Sequence, residues 1–541
     1  MIRTALAALV IGLVVAPAGT AARYAVGAAS VEDLPALRRA LGGDVETLAP
    51  IPAVVVDRAR APRLRDLPGA TYVERVRSRR LAFTPDDPLL SRQWHLPANR
   101  AFDYWASLPL LPPVPVAVID SGVDKTHPDL AGRIIGGKSF VGGSPYVDRE
   151  GHGTFVAGLI AAAVGNAEGI AGMAPSAQLL VAKVVNPAFP DEIDVQAEAE
   201  AIVWAVDQGA RVINISLGGL RDPLDPTRDA FSRLEATAIA YAHKRGVVVV
   251  AAVGNGNVAP RQPWPFASYP AALPHVLGVS ALARDGSAPL FSNRDKIYND
   301  ISAPGQAIFS TLPRGLTSQF RDCAEQGYSA CGPLDYRTAY GTSFAAPQVS
   351  AAAAVLLAEQ PNLKPDQVTA LLTRTAADVS AASGCSFCPL GRDELTGWGR
   401  LDVTASLRAL DGELPPPDRF EPNDDAGRAA VRLCCQIKRV TATLDFWDDQ
   451  NDVYAIKLRR GQPVYLSVRG PAETDTNLIL WKRTATRVDD IRQRGRIAAQ
   501  AAHPGPRENL SYRARRTGWH FVQVKLGSRG SGRYKLVIVK A

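Results

Sequence analysis

Beyond its first 22 residues, this 541-residue chain lacks any apolar run of about 18 residues, the length a helix needs to span a bilayer. No transmembrane span is therefore expected. The chain also lacks the clustered cysteines of a zinc fold. Its six cysteines are Cys323, Cys331, Cys385, Cys388, Cys434 and Cys435. The one CSFC pair and the one adjacent pair fall in what read as different domains, whereas zinc needs four converging ligands. A readable nucleic-acid motif is missing too, so nucleic acid is not an expected partner. The composition is not short of core-forming residues. With 46% apolar and 21% charged residues, it matches neither a disordered chain nor a coiled coil.

What is present is unevenly charged. The net charge is +8, yet residues 413 to 541 carry 24 Lys and Arg against 14 Asp and Glu, or +10, leaving −2 for everything before them. A basic C-terminal region offers contact with anionic surfaces; solvated surface charge is the simpler alternative. The first 22 residues, MIRTALAALVIGLVVAPAGTAA, place Arg3 before a short apolar core and end in alanines. That is the pattern of a signal peptide cleaved near Ala21 or Ala22, and it predicts a secreted, extracellular or cell-surface protein. In an exported chain an even cysteine count is compatible with disulfides, with connectivity left open.

Periodicity divides the rest. Residues 23 to 85 alternate strand-like and helix-like runs (RYAVGAA, VEDLPALRRAL, AVVVD, TYVERVRS), a small α+β unit that ends near the polar TPDDP. From 89 to 410, continuous apolar strands such as VPVAVID, RVINISL and GVVVVAAVGN alternate with helical patterns. This predicts an α/β domain with a parallel sheet covered on both faces. Functional groups should then gather beyond the strands' carboxyl ends. A Pro-rich acidic linker, 411 to 427, is expected to be extended and exposed. Residues 428 to 541 carry alternating strands, the pattern of an all-β sandwich.

Three stretches stand where that sheet should open. VAVIDSGVD ends a buried strand in Asp120, GHGTFVAGLIAA puts His152 at a helix start, and YGTSFAAP puts Ser343 at another. Alone, each has an ordinary reading: Asp120 as a turn former, His152 and Ser343 as helix caps. Together they meet the needs of acyl transfer: a serine nucleophile, an imidazole that takes its proton, and a buried carboxylate that fixes the tautomer. In VVVVAAVGNGN, Asn255 leaves a central strand with an amide suited to an oxyanion; a structural Asn in a Gly-rich turn is the alternative.

These motifs, Asp-Ser-Gly at 120–122, His-Gly-Thr at 152–154 and Gly-Thr-Ser-x-Ala-x-Pro at 341–347, resemble the subtilisin-like serine proteases in residue type and in the order Asp, His, Ser. The resemblance covers about residues 89 to 410. It implies a serine endopeptidase acting on proteins or peptides without a cofactor. Ser343 would be the nucleophile, His152 the base and acid, Asp120 its orienter, and Asn255 with the Ser343 amide the oxyanion hole. Ser216, Leu217, Gly218 and Gly219 resemble the family's substrate-binding strand, which pairs with an extended peptide. The small N-terminal unit resembles the family's propeptides, which inhibit the enzyme and assist its folding. The C-terminal strands resemble the bacterial pre-peptidase C-terminal domain.

Two positions depart from the family pattern: Phe344 follows the serine where Met is frequent, and Phe155 stands where a second His is common. Asp129 matches a position that binds calcium in many members, and Gln93 offers another oxygen. The loop AVGNAEGIAG lacks much of the ligand pattern, so neither residue is assigned to a metal. Two other readings are a serine esterase, whose G-x-S-x-G motif and residue order differ from those here, and an inactive secreted binding protein on the same scaffold.

Overall fold

A computed structural model of the chain describes residues 22–541 apart from 59–60, 77–82, 190–191, 258, 320–334, 413, 416–417, 428, 435–436, 447–448 and 489–490. Nearly all of the expected signal peptide, and Cys323, Cys331 and Cys435, lie outside the described residues. The chain divides into two compact units, residues 1–81 and 82–541. In the first, an antiparallel sheet runs in the order Val45–Thr47, Ala53–Arg58, Ala22–Ala28, Ala70–Arg75. The helix Leu34–Leu41 sets Leu34 and Leu37 against Val26 and Val54 of that sheet.

The second unit is built on a seven-stranded parallel sheet. Its order is Ile301–Pro304, Val276–Leu282, Val248–Ala252, Val212–Ile215, Val114–Asp120, Ala177–Lys183, Ile134–Ser139. The period of two along the central strand explains its two-sided burial. Val116 and Val118 join a core with the helices His152–Ala161 and Ala346–Glu359, while Ala117 and Ile119 join a second core with Val195–Asp207 and Arg233–Lys244. This is the expected α/β layering. It brings the ends of the strands at Asp120 and Ala252 to the same edge as the starts of the first two helices.

Residues beyond the linker form a sandwich of a five-stranded and a four-stranded sheet over one core. Three of its strands, Val431–Leu433, Ile497–Ala501 and Arg507–Arg513, were not anticipated: VRL is too short to show alternation, IAAQA carries none, and RENLSYR is too polar to signal a strand. The expectation of an exposed linker is corrected for its second half. Asn423 and Ala426 are buried, and the Glu421 side chain is 3% exposed. Asp424 and Glu421 reach back to the catalytic-side loop, where His275 Nε2 lies 2.6 Å from Asp424 Oδ2 and 3.3 Å from Glu421 Oε2. The His275 ring stacks on His243 at 3.9 Å, and His243 Nε2 meets Asp366 Oδ1 at 2.6 Å. Composition alone favours solvent for such a segment; specific ion pairs override it. Elsewhere, the CSFC cysteines form a Cys385–Cys388 disulfide beside Leu282 and Leu395, so the metal reading of that pair falls. No helix among the described residues is long and apolar enough to cross a membrane.

Burial pulls the His275 pKa down, but Asp424, with support from Asp366 and Asp452, outweighs it and holds the imidazole above the usual histidine value. A raised folded pKa contributes stability below the unfolded value and loses it as pH rises through the folded value. His275→Ala should therefore weaken docking of the sandwich by about 3–5 kcal/mol near pH ~6 and by less in alkaline solution. Calorimetry should show one transition split into two, and limited proteolysis should cut faster within 411–427. An unchanged single transition at both pH values would refute the role of this contact.

Candidate active site

The central strand delivers Asp120 at its carboxyl end, 1% exposed. A buried carboxylate is costly unless donors meet it. Here Ser121 N donates to Oδ1 at 2.7 Å, and His152 Nδ1 lies 2.8 Å from Oδ1 and 3.0 Å from Oδ2. His152 is the first residue of its helix. The next residue must be small, because a Cβ on Gly153 would stand 2.1 Å from the Gly122 carbonyl oxygen. The glycine in His-Gly-Thr thus lets the helix end approach the Asp120 turn closely enough for the pair to form.

Sequence reasoning missed the residue that locks the two together. Asp148, four residues before His152, is 6% exposed. Its carboxylate accepts five hydrogen bonds: from Ser121 Oγ, Glu150 N and Gly151 N on Oδ1, and from Thr154 N and Oγ1 on Oδ2. Ser121 Oγ in turn accepts from Gly153 N at 2.9 Å. One side chain therefore joins the residue after Asp120 to the first turn of the His152 helix. The Asp-x-x-Gly-His spacing was the available signal. Burial lowers the His152 pKa, but Asp120, aided by Asp148 and Glu150, more than offsets this and leaves it raised.

Ser343 lies in a 3-10 turn, Thr342–Phe344, just before the helix Ala346–Glu359. The capping reading does not hold, since the residue at the cap of that helix is Ala345. The Ser343 carbonyl accepts from Ser216 Oγ at 2.8 Å; Ser216 Oγ accepts from Asn214 Nδ2, and Asn214 Oδ1 accepts from Ser350 Oγ. This buried polar line anchors the turn to the sheet and to its own helix. Asn255 Oδ1 accepts from Thr342 N at 2.8 Å and Thr342 Oγ1 at 2.9 Å. With its oxygen spent there, Asn255 presents its Nδ2 donor next to the serine turn, 3.3 Å from where a Gly341 Cβ would be.

Of the four residues expected along the substrate strand, Gly219 has its backbone N–H and C=O committed to Tyr269, at 3.0 and 2.9 Å. The edge left for pairing is Ser216 to Gly218, and Gly218 has no room for a side chain: a Cβ would meet the Tyr269 oxygen at 1.9 Å. The two departures from the family pattern prove to be neighbours. Phe344 is buried, 4.4 Å from the Phe155 ring and 5.4 Å from that of His152, so Phe344, backed by Phe155, packs against the imidazole.

Gln93 and Asp129 are both engaged within the protein. Gln93 spends both ends of its amide on the Ala171 backbone, at 2.8 and 2.9 Å. Asp129 receives Ile170 N at 2.9 Å and Asn166 Nδ2 at 3.4 Å, and hydrogen-bonds the Tyr336 hydroxyl.

The subtilase family profile matches residues 113–399, more than half of the chain. The chain belongs to the subtilase family. It is 33% identical over 304 residues to thermitase of Thermoactinomyces vulgaris, covering 55% of this chain and 93% of thermitase. To subtilisin E of Bacillus subtilis (strain 168) it is 34% identical over 358 residues, covering 66% and 80%. To fervidolysin of Fervidobacterium pennivorans it is 35% identical over 314 residues, covering 56% of this chain but 41% of that longer protein. As a subtilase the chain is a serine-type endopeptidase.

Two outcomes are expected of this subtilase. In Asp148→Asn the new NH₂ must face N–H donors on one side or the other, a mismatch of about 1–3 kcal/mol. kcat/KM should fall about tenfold, and the acid limb of its pH profile should move down, because a charge that raises the His152 pKa is gone. An unaltered profile and rate would remove Asp148 from this role. Phe344 carries no oxidisable sulfur, so the enzyme should keep its activity in peroxide while Phe344→Met loses it; rapid inactivation of the wild type would contradict this.

Proposed function

We propose that this subtilase hydrolyses peptide bonds in proteins through Ser343, His152 and Asp120, and that it is secreted as a zymogen. The observation that carries the assignment is the short pair between buried Asp120 and half-buried His152 on the sheet edge that also holds the Ser343 turn. In this reading Asp120 holds the proton on Nδ1, which leaves Nε2 free to accept the Ser343 hydroxyl proton. The alkoxide adds to the scissile carbonyl. Asn255 Nδ2 and the Ser343 N–H meet the developing oxyanion, and a donor of this kind is worth about 10² to 10³ in rate. His152 then protonates the leaving amine, and water repeats the sequence on the acyl-enzyme. An extended substrate pairs with the Ser216–Gly218 backbone as an added strand.

The base must be neutral to act. Since His152 is held above the usual histidine value, activity should be lost as pH falls through that raised pKa, and the enzyme should work best in neutral to alkaline solution. The N-terminal unit is read as a propeptide that the enzyme removes from itself.

The test is secreted wild type against Ser343→Ala, followed by casein hydrolysis, intact mass and N-terminal sequencing. Ser343→Ala should lose about 10⁶-fold in kcat and retain the N-terminal unit, whereas wild type loses roughly its first 80 residues. If both proteins mature alike and neither cleaves casein or a peptide library, the binding-protein reading replaces this one.

A further inference from the structure

The four-stranded sheet of the C-terminal sandwich turns one face to its core and the other to solvent. Val464, Leu466, Val468, Tyr534, Leu536 and Ile538 point inward and are buried. The alternate positions point outward, and all but one of their charges are positive. Arg469 on the strand Pro463–Arg469 lies directly opposite Lys535 on one neighbouring strand and opposite Arg507 on the other. Arg533, on the same strand as Lys535, and Arg439, on the edge strand Ile437–Asp445 beside it, extend the same exposed face. Neighbouring strands are ~4.8 Å apart, so three cations stand in a row about 10 Å long. Like charges directly opposite destabilise a sheet. Among the described residues, the one acid at an outward position of these strands is Asp445, at a strand end and 3.8 Å from Arg374 of the neighbouring domain. The row thus runs against the stability of its own sheet, with no carboxylate placed to relieve it.

The same face carries chemistry besides charge. Tyr465 is 52% exposed, opposite Ser511, and the next outward pair is Ser467 opposite Asn509. An exposed aromatic ring with hydroxyl and amide groups one pair away is suited to a sugar ring and its hydroxyls. A track of bases would call for a series of aromatic platforms, where one stands. A membrane surface would call for a broad apolar face to insert, whereas Tyr465 lies between Val539 on one strand and Ser511 on the other, and the half-buried Val537 and Val539 are bordered by Lys535, Ser467 and Arg469.

We propose that this face binds an acidic polysaccharide, with Lys535, Arg469 and Arg507 on its anionic groups and Tyr465 on a sugar ring, so that the protease is held on a polyanionic matrix while its active site stays free. The proposal is independent of the catalytic assignment, because it concerns residues outside that machinery.

The test uses the full chain carrying Ser343→Ala, with immobilised polygalacturonate as probe, at about 50 and about 300 mM NaCl. Neutral dextran, an oligodeoxythymidylate and vesicles of phosphatidylglycerol with phosphatidylcholine serve as comparisons. The expected result is saturable, salt-sensitive binding to polygalacturonate and none to dextran. Arg469→Ser with Arg507→Ser and Lys535→Ser should weaken it at least about tenfold while leaving the melting temperature equal or higher, since a repulsion is removed. Tyr465→Ala should weaken binding without changing its salt dependence. Undiminished binding by the triple variant, or a fall in its melting temperature, overturns the proposal. Tighter binding to the oligonucleotide or to the vesicles overturns it as well, by assigning the face to a different partner.

Discussion

The arrangement at this sheet edge depends on keeping two charged or chargeable groups, Asp120 and His152, close together in a place where water does little to screen them. Asp120 ends a strand with no exposed face, so its charge is tolerable only where donors converge on it. The imidazole supplies one donor and the Ser121 amide another. Neither is rigid by itself. A strand end and a helix start are the places where backbone geometry is least constrained by internal hydrogen bonding, and Asp148 supplies the missing constraint from a third point in the chain. Its two oxygens are divided between the Ser121 side and the Thr154 side, which fixes the distance across which His152 must reach.

Electrostatics and packing divide the work around that pair. Burial alone would leave His152 a weaker base, and the surrounding carboxylates more than compensate. Phe344, itself packed on Phe155, lies against the ring without adding charge. On the serine side, the line from Ser350 through Asn214 and Ser216 to the Ser343 carbonyl satisfies polar groups inside an otherwise apolar core. Small residues in the helix Ala346–Glu359 serve the same end, since they let that helix lie close against the central strands.

The C-terminal sandwich attaches by a different logic. Its contact with the protease sheet is polar, built on His275, Asp424, Glu421 and the stacked His243. Such a contact is sensitive to pH, where an apolar interface would not be. The outer face of the same domain leaves its cations unpaired by any described acid except at one edge, so the domain is tied to the protease on one side and presents charge on another.

Much of this was legible in the residues alone. The strand-helix alternation from 89 to 410 announced a parallel sheet because both periods, two and 3.6, are local properties of the chain. The positions of Asp120, His152, Asn255 and Ser343 were legible for a related reason: each sits at one end of an apolar run, Asp120 and Asn255 where a strand stops, His152 and Ser343 where a helix begins. Only the tertiary structure determined what these positions meet. That Asp148 would join two of them, that Phe155 and Phe344 would touch, that Gly219 would be taken by Tyr269, and that the supposed linker would be half buried all depend on segments far apart in sequence. So does the row of Lys535, Arg469 and Arg507, whose three strands are brought into line by pairing registers. Local pattern says which face of a strand is wet; it carries no information about which strand lies alongside, and it is that choice that places charge beside charge.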